Sequence, residues 1–205
     1  MTTQYPIITQ VRRYWEAQRE DGEVPHRSRI DPRSLPHALP NVFLIERIAP
    51  GVTRFRVAGG VLSDLMGMDV RGMPFLSLIE PTERESLAPR IDALFDQAGQ
   101  LNICLESTRA QGTPQTHGRI LLLPLQSSRN VDQALGCIEL HGEHGPAPVR
   151  FSPVRAQYDR LLLPPASLAH MGMAEDASPF ASARPHLRLV HSSDAPYKVS
   201  NGNHR

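Results

Sequence analysis

Few residues of this 205-residue chain sit at spacings that do chemistry. His141-Gly-Glu-His144 comes nearest, because histidine and carboxylate are good zinc ligands. It stands beside glycines with no further ligand at partner spacing, so it reads as a solvated strand end. The stretch F-R-V-A-G-G-V-L-S-D, residues 55–64, places two glycines after a strand, where a phosphate loop would place them. Both the G-x-G-x-x-G pattern and a Gly-Lys-Ser/Thr ending are missing, and the only lysine in the chain is Lys198. Ser63-Asp64 reads as turn chemistry, since no G-x-S-x-G elbow exists to activate a serine. Arg27, Arg29 and Arg33 would suit an anion, but Asp31 lies among them and a solvated, partly self-paired surface is the simpler reading. With no glutamate pair, Cys/His pair or kinase signature, the expectation is a protein that is not an enzyme.

Composition narrows the setting. Apolar residues make up 40% of the chain, enough for a modest core, while 19 prolines imply long stretches that are neither helix nor central strand. A formal charge of +1 supplies no field to recruit nucleic acid or an acidic membrane. Cys104 and Cys137 lie in apolar, strand-like runs, which suits free thiols in a reducing, cytoplasmic setting. The start M-T-T-Q-Y-P does not resemble a signal peptide, and the longest apolar run, 120–125, contains a proline, so no membrane span is expected.

The periodicity predicts an amphipathic helix over 6–20, with Ile7, Ile8, Val11, Tyr14 and Trp15 on one stripe. That stripe must cover either its own domain or a partner chain. A proline-rich connection leads to a hairpin, 41–48 and 53–58, turning at Pro50-Gly51, with one wet and one covered face. Pro89 predicts a short turn before a main helix over 87–97 that buries Leu87, Ile91, Leu94 and Phe95. Strands follow at 101–109, 116–125 and 135–141, with Pro124 implying an edge or a bulge. The class is α+β, a five-stranded antiparallel sheet with short helices and one longer helix on one face. The organisation is 1–39 for the N-terminal helix and connection, 40–143 for the core, and 144–205 for a mostly disordered tail. A short helix near 153–163 interrupts the tail.

Element order and residues together resemble a PAS domain, specifically the PAS-like family found mainly in alphaproteobacteria as stand-alone proteins. The matching pieces are Tyr14-Trp15, P-H-R-S-R-I-D-P, L-P-N-V-F-L-I-E, F-R-V-A-G-G-V-L-S-D-L-M-G-M-D-V-R-G-M-P-F and R-I-L-L-L-P-L, in that order across 6–142. The resemblance implies a sensory or regulatory module in bacterial signal transduction, with short turns packed under the sheet as one wall of a small cavity. Gly59-Gly60 would then permit the sharp exit from the second strand. Flavin is disfavoured, because F-L-S-L-I-E-P-T-E-R stands where a flavin-binding member has G-x-N-C-R-F-L-Q. Haem is disfavoured because 87–97 holds no histidine and His117 falls in a turn. The candidate lining of a pocket for a small apolar ligand is Leu65, Ile91, Leu94, Ile103, Leu105, Leu122 and Cys137, residues that would serve equally as ordinary packing. Trp15 and the alternating Leu187 and Leu189 are candidates for a protein partner or a homodimer contact. A constitutive scaffold with a filled core is the alternative.

Overall fold

The structure, a computed structural model, describes residues 4–107, 116–127 and 130–161. Leu187, Leu189 and the expected disorder beyond 161 lie outside the described residues. Three helices, α1 (Pro6–Ala17), α2 (Gly60–Met66) and α3 (Arg84–Asp96), accompany six strands. The strands are β1 (Val42–Ala49), β2 (Val52–Ala58), β3 (Gly99–Ser107), β4 (His117–Gln126), β5 (Val131–His141) and β6 (Phe151–Arg160). They form one antiparallel sheet in the order β2-β1-β5-β4-β3-β6.

The sixth strand corrects the reading of 153–163 as a helix. Val154, Tyr158 and Leu161 follow a helical period, but the residues between them also alternate, with Arg155, Gln157 and Asp159 on one face and Ala156 and Tyr158 on the other. Pairing along β3 decides between the two periods. Pro153 is tolerated because β6 is an edge strand with a register shift beside it. Pro124 instead lies in a central strand. The β3–β4 ladder ends at Leu101 and Leu122, so the chain at Pro124 is locally an edge. Its carbonyl accepts a 3.0 Å hydrogen bond from Trp15 Nε1.

Both faces of the sheet are covered, which corrects the expectation of one wet face. The runs I-L-L-L-P-L and A-L-G-C-I are buried at every position, as strands enclosed on two sides are. One face carries Phe43, Ile45, Leu101, Ile103, Ile120, Leu122 and Ile138, and α3 lies over it with Arg47 stacked on Phe95 at 5.1 Å. We call this the inner face. Helix α3 begins earlier than 87 and runs through Pro89, which is exposed, while Leu87, Ile91, Leu94 and Phe95 are buried as their spacing predicts.

Helix α1 closes the outer face, burying Ile8, Val11 and Trp15 against β4 and β5. Its Tyr5 N-cap makes no side-chain capping bond. The carboxylate of Glu139 on β5, only 5% exposed, accepts the Ile8 backbone N–H at 3.0 Å instead. A strand thus supplies the negative charge that an uncapped helix start favours. Arg12 donates to Asn102 on β3 at 2.8 Å, and the Tyr14 hydroxyl accepts the Asp31 N–H at 2.7 Å, tying the helix to the connection that follows it.

A cavity beneath the N-terminal connection as candidate site

Gly59 sets the geometry where β2 leaves the sheet. A Cβ there would lie 2.3 Å from the carbonyl oxygens of Leu39 and Pro40. The residue is therefore glycine because two backbones touch, while Gly60 opens α2 with free space around its Cα. This refines the reading in which both glycines served a sharp exit. Gly67, at φ +70°, ends α2 in the left-handed conformation that glycine adopts at low cost.

Close contact at Gly59 brings the connection down on β1 and β2 and leaves a pocket between them. Its volume is about 220 Å³. Ile30, Pro32, Leu35 and Leu39 form the roof, Leu44, Val57 and Leu135 the floor, and Arg27 stands at the rim. The floor residues are paired neighbours on the outer face, Leu44 with both Val57 and Leu135. An apolar pocket with a single charged group at its edge suits a small apolar or amphipathic molecule.

The inner face has a different character. Phe43, Phe55 and Phe75 pack ring against ring, with centroids 5.5, 6.0 and 5.7 Å apart, and all three are buried. Leu65, Ile91, Leu94, Ile103, Leu105 and Leu122 are each no more than 2% exposed on that side. Cys137 is equally buried but belongs to the outer face, since it pairs with Val42 and Leu121 whereas Leu122 pairs with Gly136. The seven candidates are thus divided between two faces. Burial first, and then the charge of Glu139, pushes the Cys137 thiol up to about 12, so it stays protonated at neutral pH.

Three cavities stand out among the described residues, and none of those seven lines any of them. Besides the apolar pocket there is a shallow groove along β2 and α2, where Arg71 pairs with Asp69. There is also a polar cavity beside α1. No three histidine, cysteine or acidic side chains among the described residues come together to hold a metal, and His141 packs against the Tyr5 ring at 4.9 Å. His117 opens β4 instead of sitting in a turn, within 3.5 Å of Glu106. Asp31, placed among the three arginines, accepts the Arg33 backbone N–H at 3.0 Å, while Arg29 pairs with Glu20. No helix among the described residues is long and apolar enough to cross a membrane.

A family model described as a PAS domain matches residues 4–139, from just before α1 to within two residues of the end of β5. The chain belongs to the PAS domain family. Helix α1 and the connection therefore lie within the family match, and β6 lies beyond it. No curated protein matches the chain. PAS domains are in general sensory or regulatory modules without catalysis of their own, and the α+β antiparallel architecture is consistent with that family.

The roof and floor residues of the apolar pocket escaped the sequence reading, although a signal existed. Ile30, Leu35 and Leu39 are spaced apolar residues in an otherwise polar, proline-rich segment, and Leu44 and Leu135 sit on strand positions facing away from the expected core. Together they mark a second covered face. Trp15, a candidate for partner contact, is fully buried against this chain's own sheet.

Proposed function

We propose that this PAS domain is a non-catalytic sensory or regulatory module that takes a small apolar ligand in the pocket between residues 27–39 and the outer face of β1 and β2. The observation that carries the reading is the pocket itself, roofed by a segment that holds little secondary structure beyond short 3-10 turns. A ligand there changes how the N-terminal segment lies on the sheet, and a partner protein reads the change. A ligand shifts such an equilibrium only by its differential affinity for the two arrangements, and here roof and floor both contact it. A cavity of about 150 Å³ lined by apolar side chains accommodates benzene. The space beneath Ile30 and Leu35 therefore suits one aromatic ring or a short alkyl chain.

Packing of the three phenylalanines favours a second reading, a constitutive interaction scaffold whose inner core holds no ligand. Mass spectrometry of the purified chain under native and then denaturing conditions separates the two. The sensor reading expects a reproducible bound molecule that is lost in Val57→Trp, where an indole from a half-exposed floor position fills the pocket. For each of the two proteins, a native mass equal to its own denatured mass, with nothing released, supports the scaffold.

A further inference from the structure

The polar cavity beside α1 differs from the apolar pocket in every wall. Its volume is about 240 Å³, and three arginines line it from three different elements: Arg12 from α1, Arg119 from β4 and Arg155 from β6. Asn102, Cys104 and Gln157 add polar groups, and Asp159 is the one acidic side chain in the wall. Asp159 accepts from the Gln157 amide at 2.9 Å, and Glu139, next along the sheet from Arg119, is engaged by the Ile8 N–H. Among the described residues no carboxylate forms an ion pair with any of the three guanidiniums. Arg12 bonds to the Asn102 amide oxygen, Arg155 reaches Gln157 at 3.5 Å, and Arg119 lies over the Tyr5 ring at 4.6 Å. The Nε of Arg119 is buried with no hydrogen-bond partner.

Cations gathered in one cavity repel one another, and a buried guanidinium nitrogen without an acceptor carries a desolvation cost. An anion removes both. We propose that this cavity binds the phosphoryl group of inorganic phosphate or of a small phosphomonoester. Three donors approaching from three sides match the terminal oxygens of a tetrahedral dianion better than a planar carboxylate, which one guanidinium satisfies in bidentate fashion. Because Arg12 belongs to α1 and the other two to the sheet, the bound anion clips the helix to the outer face. The site is separate from the apolar pocket and stands whether or not that pocket holds a ligand.

The test is thermal unfolding of the full chain against increasing inorganic phosphate, at ionic strength held constant with chloride, with glycerol phosphate as a second arm. A saturable rise in midpoint is expected with at least one of the two, and the tighter of them identifies the source of the phosphoryl group. Arg155 is exposed, so Arg155→Gln leaves the fold intact while weakening binding about tenfold or more. Arg90→Gln, on the exposed side of α3, leaves binding unchanged. Amide exchange over residues 8–15 slows on addition of phosphate. A midpoint that ignores both anions, or a dependence identical in wild type and Arg155→Gln, overturns the proposal.

Discussion

Gly59 shows how a single side-chain atom decides the site. Its φ of −75° is open to any residue, so the usual argument from glycine's backbone freedom does not apply. What excludes a Cβ is the 2.3 Å approach of the Leu39 and Pro40 carbonyl oxygens, which belong to backbone and cannot swing aside. Gly59→Ala should therefore cost about 2–3 kcal/mol in chemical denaturation, through overpacking that lifts the connection off β2. Gly60→Ala, with open space around it at the start of a helix, should be neutral or stabilise by about 0.5–1 kcal/mol. Equal effects at the two positions would show that the contact between connection and strand is not what selects glycine. The pair was legible in the sequence as a bend, but not which of the two is obligatory. That depends on a neighbour twenty residues earlier in the chain. Trp15 is the converse case: its stripe was plain from spacing, and only the register of β4 supplied the Pro124 carbonyl that holds the indole.

At the scale of elements, the β1–β2 hairpin is pinned at its outer edge by Glu46, which meets both Arg54 and Arg56. Burial pushes the Glu46 carboxyl up, but hydrogen bonds from Arg56 and Arg54, and their charges, outweigh it and hold the group below its ordinary value of 4.5. The folded chain thus binds this proton less readily than the unfolded chain. The contribution to stability is complete above the ordinary carboxylate range and disappears as pH falls through the lowered value. Because both arginines are half exposed, solvent screening limits the effect to about 1 kcal/mol. Comparing wild type with Glu46→Gln, denaturation midpoints should differ by a constant amount near neutral pH and converge in acid below 4.5. A gap that persists at low pH would assign the difference to packing instead of charge. Strands and α3 were readable because each alternates or repeats over several residues. The sixth strand was not, since a ten-residue edge segment containing Pro153 fits two periods and only its ladder to β3 selects one. The double cover of the sheet could be read from the unbroken apolar runs of β4 and β5, yet the hairpin's arginines pointed the other way.

Across the whole molecule, one sheet separates two environments. The inner side is closed by three phenylalanines packed against one another and by α3, while the outer side is covered by α1 and by a connection with little regular structure, and it is there that the apolar pocket and the polar cavity lie. A segment built of isolated 3-10 turns is more easily displaced than a longer helix packed on a core. The sensing proposed for this PAS domain therefore belongs to the outer face and to the N-terminal segment. The most direct measurement is backbone amide NMR of the full chain titrated with phenol, a single aromatic ring of the size proposed for the apolar pocket. Saturable shifts confined to residues 27–39, Val42, Leu44, Val57, Gly59 and Leu135 are the predicted result. Shifts centred on Ile91, Leu94, Ile103 and Leu122, or no saturable shift anywhere, would contradict it.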